Sequence, residues 1–235
     1  MTVHASPTVL QPHGPDGLCS YADALALMQS LVQRPASQPD FLISVQHPPT
    51  ITLGTRGGQE FIHDQPGLPQ PALWRTARGG SITMHAPGQL VVYPVIQLSK
   101  MTGAIGRGPL GDLPAYARLL EAAVLETCAT FGIHTSVRPG FAGVWCGDRH
   151  KIASLGVAVQ RGWTLHGLAL NVGPDLGLLA TVTPCGLADV QWTSLAHQCQ
   201  QLGLPEPQLA DVERELLENL RKRLHRSQPG QPPIP

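Results

Sequence analysis

One cysteine of the chain lies in a loop sequence that suits a nucleophile. Cys185 stands between Pro184 and Gly186, inside the segment Thr183 to Leu187. Proline fixes one side of a turn and glycine removes the side chain on the other, so we expect the thiol to project from a loop with bare backbone amides beside it. Such amides stabilise the oxyanion that forms when a thiolate attacks an acyl carbon. Because a lone cysteine is more often a buried structural residue, this role requires a partner that activates the thiol.

Three residues are candidate partners for that thiol. A free cysteine with a pKa of about 8.5 is only about 3% thiolate at pH 7, and a nearby ammonium or imidazolium raises this fraction. Lys151, His85 and His166 are available for this purpose. Lys151 opens an apolar segment, where it is either a charge that protects a sheet edge or a desolvated amine with a lowered pKa. The spacing along the chain does not show whether any of them meets Cys185.

A glycine pair marks a further candidate site. The segment from Arg78 to Gln89 contains Gly79 and Gly80, whose backbone N–H groups are free to point at a ligand, and Arg78 is suited to hold an anion. The alternative is a tight hairpin with a surface arginine, because a Gly-Gly pair alone is a weak signal. The residues by themselves leave both interpretations open.

The composition excludes several classes of protein. The chain has 235 residues with 16 Lys and Arg against 16 Asp and Glu, so it carries no bulk positive charge for gripping nucleic acid. Apolar residues make up 42% and charged residues 14%, which favours a globular chain over a disordered one or a coiled coil. The 25 glycines and 23 prolines favour a strand-rich sheet with functional loops over a helical bundle.

Cysteine usage and hydropathy point to the cytoplasm. The five cysteines are odd in number and form no C-x-x-C pair, so we expect reduced thiols rather than disulfides or a thiolate zinc site. No signal peptide and no run of eighteen apolar residues is found, so we expect a soluble intracellular protein with no membrane contact. The ten histidines include no H-x-x-x-H or H-E-x-x-H spacing, so no metal site is predicted.

The elements that must position these residues follow from the apolar spacing. Helices are predicted at about 20–34, from Asp112 to Phe131, and at about 209–225; the first opens on Ser20 and Asp23 as a capping box. Strands are predicted at 41–45, 50–53, 81–85, 89–96, 143–146, 151–159 and 163–172. The strands at 81–85 and 89–96 are expected to form a hairpin around Pro87-Gly88, and the last three are expected to form a meander. Residues 103–111 are expected to form a glycine-rich loop.

This order of elements predicts the fold class. It favours α+β, or mixed α/β, in a single domain built around one sheet. Residues 1–19 are expected to form an N-terminal extension, 20–226 the catalytic domain, and the Pro-rich residues 227–235 a disordered tail.

Several motifs in this order resemble the lipoyl(octanoyl) transferases of the biotin/lipoate protein ligase superfamily. The family pattern is R-G-G-x-x-T-x-H-G-P-G-Q, then G-V-W, K-I-A-x-x-G, H-G-x-A-L-N, and P-C-G with T-S-L behind it. The matching segments are Arg78–Gln89, Gly143–Trp145, Lys151–Gly156, His166–Asn171, Pro184–Gly186 and Thr193–Leu195, together with an H-P-P segment at His47. One departure is Ala86, where the family has glycine; if that position needs a positive φ, alanine costs about 1 kcal/mol.

The resemblance implies the biotin/lipoate ligase fold, a mixed, mostly antiparallel sheet flanked by helices, and it implies roles for particular residues. Cys185 would be the acyl-thioester nucleophile, and Lys151 would lower its pKa and move the proton. The acyl chain and thioester would be bound by Arg78, Gly79, Gly80, Ser81, Ile82, Thr83, Met84, His85, Ser154, Leu155, Gly156, Gly167, Leu168 and Ala169. His166 and Asn171 would support the site.

The resemblance also implies a reaction and its partners. The chain would transfer an octanoyl group from acyl carrier protein to a lysine of the lipoyl domains of 2-oxoacid dehydrogenases or of the glycine cleavage H protein. It would use no ATP and no metal, and we expect a monomer. Because carrier proteins are usually acidic, we expect a basic patch near the site with Arg75, Arg78 and Arg149 as contributors.

Two alternative functions remain. An ATP-dependent lipoate or biotin ligase would activate a free acid as an adenylate and would not need Cys185. A non-catalytic protein on the same fold would bind acyl carrier protein without turnover, which the joint presence of Lys151 and Cys185 makes the weaker alternative.

Overall fold

The computed structural model of the chain describes residues 6–14, 16–64, 66–68, 70–101 and 112–226. Its strands are β1 (Thr8–Leu10), β2 (Phe41–Val45), β3 (Thr50–Leu53), β4 (Ala72–Arg75), β5 (Ile82–His85), β6 (Gln89–Val95), β7 (Ser136–Arg138), β8 (Phe141–Cys146), β9 (His150–Gln160), β10 (Trp163–Asn171) and β11 (Gln191–Trp192). Its α-helices are α1 (Tyr21–Leu31), α2 (Leu113–Thr130), α3 (Leu176–Leu179), α4 (Leu195–Leu202) and α5 (Leu209–Arg226). The predicted loop at 103–111 and the predicted tail at 227–235 lie outside the described residues.

The strands form a main sheet and a small sheet. The described strands of the 8-stranded main sheet run in the order β1-β2-β6-β10-β9-β8-β7, with β11 attached to β9. Their pairings are antiparallel except for the parallel pairs β1 with β2 and β11 with β9. The small sheet has the order β4-β3-β5. The predicted mixed, mostly antiparallel sheet is therefore confirmed, and the small sheet is an addition to it.

Helices cover both faces of the main sheet. Tyr116 and Leu120 of α2 pack with Leu216 of α5 against apolar side chains of the central strands. On the opposite face, Met28 of α1 packs against Tyr93 and other residues of the main sheet. These two clusters bury the apolar surface that drives the chain to fold into layers.

The helix boundaries follow local capping chemistry. Ser20 accepts a hydrogen bond from the amide of Asp23 at the start of α1, and Asp112 accepts one from the amide of Ala115 at the start of α2. The helix α1 ends at Leu31, three residues earlier than predicted. Pro35 follows closely and disfavours helical backbone at the residue before it, which explains the earlier end.

The predicted hairpin of residues 81–85 and 89–96 is wrong. Both strands exist, but β5 pairs with β3 in the small sheet, whereas β6 pairs with β2 and β10 in the main sheet. Because β6 already has a partner on each side, it has no free edge for β5. The turn around Gly88, which has φ +83°, carries the chain from one sheet to the other.

The meander at the C-terminal side is confirmed. The strands β8, β9 and β10 pair in sequence, each antiparallel to the next. The register of β8 against β9 shifts between Val144 and Trp145, which marks a β-bulge beside Lys151. None of the helices in the described ranges is both long enough and apolar enough to cross a lipid bilayer.

Candidate active site

A cavity of about 380 Å³ lies where the main sheet, the small sheet and the start of α2 meet. A volume of this size lies within the usual range for small-molecule sites. Its wall combines apolar and polar groups, and both Lys151 and Cys185 line it. The predicted residues that line it are Arg78, Gly79, Gly80, Ser81, Ile82, Thr83, His85, Lys151, Ser154, Leu155, Gly156, His166, Gly167, Leu168, Ala169 and Cys185.

Lys151 is buried on an interior strand. It is only 4% exposed, and β9 is paired on both sides, so the alternative of a charge on an exposed sheet edge is wrong. Its Nζ donates to the Sγ of Cys185 (3.0 Å) and to the carbonyl oxygen of Ala142 (3.1 Å), and lies over the ring of Trp145. Burial lowers the pKa of Lys151, while the nearby Cys185 opposes that change. An amine of this kind exchanges protons more readily than an exposed lysine.

Cys185 is held on a tight turn that faces the cavity. The turn is the 3₁₀ segment Pro184–Gly186, and Cys185 itself has φ +57°, a left-handed conformation that costs a non-glycine residue about 1 kcal/mol or more. Gly186 packs so tightly on Phe61 that an added Cβ would lie 2.4 Å from the ring. Cys185 is partly exposed, whereas the other four cysteines are buried. This is the accessibility that a reactive thiol requires.

The expected bare amides on the C-terminal side of this thiol are not found. The amide of Gly186 donates to the carbonyl of Thr183 (3.3 Å), and the amide of Leu187 donates to the carbonyl of Pro184 (3.0 Å). Because a 3₁₀ turn satisfies its own amides in this way, these two groups are occupied within the loop.

Arg78 is a buried cation, not a surface arginine. Its Nε and Nη2 donate to the Oγ1 of Thr52 (3.2 and 2.9 Å), and Nη1 donates to the carbonyl of Gly79 (3.1 Å). No carboxylate of the described residues lies within ion-pair distance of it. Burial lowers the pKa of its guanidinium, but an arginine remains charged at neutral pH. An unneutralised positive charge therefore lies in the cavity wall.

The expected basic patch does not include Arg78, because that side chain is only 7% exposed. Arg75 bonds to Gln59 on the surface, and neither it nor Arg149 lines the cavity. An exposed arginine that does reach the cavity is Arg56, which belongs to none of the motifs described above.

Neutral aromatic side chains surround part of the cavity. His85 and His166 line it together with Tyr21 and Tyr93. Burial lowers the pKa of His85 to about 3 and that of His166 to about 4, so both imidazoles are neutral at pH 7. Neither histidine contacts Cys185, so of the three candidate partners only Lys151 meets the thiol.

The orientation of His85 is fixed by a chain of hydrogen bonds. Gln89 uses its Nε2 to donate to the carbonyl of Met84 (3.1 Å) and to the Oδ1 of Asn171 (2.9 Å). Its Oε1 therefore faces the Nδ1 of His85 (2.7 Å), and because an amide oxygen only accepts, that nitrogen carries the proton. Asn171 then donates to the carbonyl of Thr193 (2.9 Å).

Asn171 acts at a distance from the cavity. It does not line the wall, but the amide of Thr193 donates to the carbonyl of Lys151 (3.0 Å). Asn171 therefore helps to hold the strand segment from which Lys151 projects. Met84 also lies off the cavity; it is fully buried with Ile51 and Leu53, on the face of β5 opposite to Thr83 and His85.

Sequence reasoning missed several residues of the wall. Tyr21 and Tyr93 occupy apolar positions of α1 and β6 that read as ordinary core, and Leu113 and Ala117 do so on α2. The segment Gly140–Ala142 carried no motif of its own; Gly143, just after it, was the nearest signal.

A family model and two related proteins that match the sequence agree on its family. The sequence model of the lipoyl protein ligase A/B catalytic domain matches residues 20–221. An octanoyltransferase from Desulfovibrio desulfuricans is 41% identical over 212 residues, which cover 86% of this chain and 82% of that protein. An octanoyltransferase from Synechococcus sp. strain CC9902 is 37% identical over 208 residues, which cover 88% of this chain and 83% of that protein.

Solved structures share the fold. A crystal structure of lipoate-protein ligase A bound with ATP matches with a TM-score of 0.69 at 16% identity, over 94% of this chain and 86% of that chain. Biotin protein ligase from Leishmania major in complex with biotinyl-5-AMP matches with a TM-score of 0.57 at 11% identity, over 96% of this chain and 78% of that chain. These structural similarities confirm the predicted ligase-like fold. At this level of identity they indicate nothing about the activity.

Proposed function

The chain belongs to the lipoyl protein ligase A/B catalytic domain family, within its octanoyltransferases, and from that premise we propose that it moves an octanoyl group from acyl carrier protein to a lysine of a lipoyl domain. The group passes through a thioester on Cys185. The observation that carries this proposal is the 3.0 Å contact between the Nζ of Lys151 and the Sγ of Cys185 at the wall of the cavity.

The first half-reaction transfers the acyl group to the enzyme. Lys151, as the neutral amine, takes the proton of the Cys185 thiol, and the thiolate attacks the thioester carbonyl of the donor. The bond between the acyl carbon and the donor sulfur breaks, and the departing thiolate receives the proton from the Lys151 ammonium. Octanoyl-Cys185 remains. The buried charge of Arg78 favours the negative charge that develops in this step.

The second half-reaction transfers the acyl group to the acceptor. The neutral amine of the acceptor lysine attacks the carbonyl of octanoyl-Cys185 and forms an amide bond as the bond to sulfur breaks. Lys151 takes the proton that the amine loses and returns it to the thiolate of Cys185. The acyl donor and the acceptor lysine react at Cys185 one after the other, so we expect ping-pong kinetics.

The cavity accounts for the acyl group. Ile82, Leu155 and Leu168 give it an apolar wall against which an acyl chain can pack. The whole sequence of steps starts from a thioester and needs no further activation. We therefore propose that neither ATP nor a metal takes part. We also propose that the protein works as a monomer in the cytoplasm.

Mass spectrometry of the intact protein tests this function. After mixing with octanoyl acyl carrier protein and no ATP, we expect a single octanoyl adduct that maps to Cys185 and that disappears when a lipoyl domain is added. The four buried cysteines serve as internal controls and should stay unmodified. ATP-dependent octanoylation of the lipoyl domain by a Cys185→Ala variant would instead identify a ligase, and binding of the carrier without an adduct would identify a non-catalytic protein.

A further inference from the structure

A carboxylate on α2 is connected to Lys151 through one peptide group. The amide of Gly143 donates to the Oε1 of Glu121 (3.0 Å), and the Nζ of Lys151 donates to the carbonyl oxygen of Ala142 (3.1 Å). This carbonyl and this amide belong to the same planar peptide unit. A hydrogen bond at one end of a peptide group strengthens the bond at its other end, so Glu121 both fixes and polarises the carbonyl that holds Lys151.

The backbone at Gly143 allows Glu121, the 142–143 peptide and Lys151 to lie in contact. Gly143 has φ +132°, and a Cβ there would lie 2.5 Å from the carbonyl oxygen of Ala153 and 2.8 Å from the Cε of Lys151. The register of β8 against β9 shifts just after it, between Val144 and Trp145, and leaves Ile152, the neighbour of Lys151, without a partner on β8. Only glycine therefore allows the lysine side chain to lie against this peptide.

Two charged side chains, Arg78 and Glu121, shift the pKa of Lys151 in opposite directions. Burial lowers the pKa of Lys151 most, and Cys185 raises it; Arg78 then lowers it and Glu121 raises it. Burial raises the pKa of Glu121 itself, whereas the Gly143 amide, Arg118 and Lys151 lower it. Glu121 thus acts against the desolvation of Lys151, in the same direction as Cys185.

We propose that Glu121 is a positioning residue of the transfer reaction, which holds Lys151 against Cys185 through the 142–143 peptide and supports its protonated form. This inference rests on the proposed function, because it assigns Glu121 to the pair that the function uses. Removing the negative charge favours the neutral amine with the neutral thiol over the ammonium with the thiolate. The population of thiolate near pH 7 therefore falls.

The pH dependence of Cys185 alkylation by iodoacetamide measures that population. We expect Glu121→Gln to lower the rate constant near pH 7 by about tenfold, and Glu121→Met, which also loses the hydrogen bond to the Gly143 amide, to lower it by at least as much. At high pH, where the thiolate no longer needs a protonated lysine, both variants should converge on the wild-type rate. Glu121→Gln keeps an acceptor for the Gly143 amide, so it isolates the charge from the hydrogen bond.

A matched control lies on the same helix. Glu126 is paired with Arg223 at the surface, and Glu126→Gln should follow the wild-type profile throughout. Rates near pH 7 that stay within twofold of wild type in both Glu121 variants would overturn the proposal. A loss that persists at every pH would indicate a structural defect and would also overturn it. A loss in Glu121→Met alone would show that the charge of Glu121 has no effect, and this too would overturn the proposal.

The alkylation readout is independent of octanoyl transfer. Acylation of the wild-type protein by octanoyl acyl carrier protein is measured in parallel. If the wild type forms no adduct, the proposed function fails whatever the Glu121 variants do; if it forms the adduct and the variants alkylate like wild type, only the role of Glu121 fails.

Discussion

A Cβ atom on Gly156 would lie 2.9 Å from the Cδ of Arg78. Gly156 lies within β9, and the side chain of Arg78 crosses its bare backbone on the way to Thr52. The same Cβ would lie 2.9 Å from the carbonyl oxygen of Gly79. The missing side chain at position 156 is therefore what allows a buried guanidinium and a close-packed glycine loop to share one wall of the cavity.

Gly156→Ala should displace Arg78 and reduce activity. We expect kcat/KM for the octanoyl donor to fall by about tenfold or more, because a shift of about 1 Å in a positioning group has effects of this size. Steady-state kinetics with octanoyl acyl carrier protein provide the measurement. The control is Gly173→Ala, where a Cβ would meet only the Cβ of Ala196 at 3.7 Å. Equal activity of the two variants would contradict the role given to the Gly156 contact.

The sequence indicated which residues line the cavity better than it indicated how they meet. The types and motifs around Lys151 and Cys185 pointed to an activated thiol, but their 3.0 Å contact lies beside a register shift that leaves Ile152 of β9 without a partner on β8, and on a left-handed turn, neither of which has a pattern in the sequence. Arg78 looked equally like a surface residue, because its burial comes from Gly156, which lies far along the chain.

Long elements were predicted well and pairings poorly. The helix α2 and the three-strand meander have enough periodic residues to define them. The short strands β1, β4, β7 and β11 have two to four residues each, too few for an alternating pattern to be read. The hairpin error at Gly88 arose because a turn sequence fixes the local backbone but not the sheet that the next strand joins.

Lys151→Arg should separate charge from proton transfer. Arginine keeps a positive charge near Cys185 but does not give up its proton, so we expect acylation by octanoyl acyl carrier protein to slow by about 10²-fold or more. Alkylation of Cys185 by iodoacetamide should be reduced far less, because it needs only a thiolate. Rapid-quench mass spectrometry follows the first reaction, with Lys222→Arg on the surface as the control. Wild-type acylation in Lys151→Arg would show that Lys151 moves no proton.

Stability should decrease as the pH falls below about 6.5. Burial lowers the pKa of His47 to about 4, that of His85 to about 3 and that of His166 to about 4. Between these values and the ordinary pKa of about 6.5, the unfolded chain binds more protons than the folded one, so the free energy of unfolding rises with pH in that window. Between pH 6.5 and pH 5 we expect a loss on the order of 1 to 2 kcal/mol for each histidine.

Urea denaturation at pH 7.5 and at pH 5 measures this loss. His85→Gln should reduce the difference between the two pH values, because it removes one of the groups that become protonated only on unfolding. His13→Gln, at an exposed position, should leave the difference unchanged. A pH dependence in His85→Gln as steep as that of the wild type would contradict the assignment.

Ala86→Gly should destabilise the protein without improving activity. Alanine would be unfavourable at position 86 only if the backbone there had a positive φ. Ala86 does not, because the non-glycine residues of the described chain with positive φ are Arg161, His166 and Cys185. Ala86 is instead buried in the cluster that also contains Met84 and Ile51. Replacing it with glycine removes a buried methyl group and adds backbone freedom to the unfolded chain, so we expect the free energy of unfolding to fall by about 1 to 2 kcal/mol. Urea denaturation at neutral pH measures that change, and kcat/KM should stay within about twofold of wild type, since Ala86 does not line the cavity. A variant that is more stable or several-fold faster than the wild type would mean that alanine strains the turn after all.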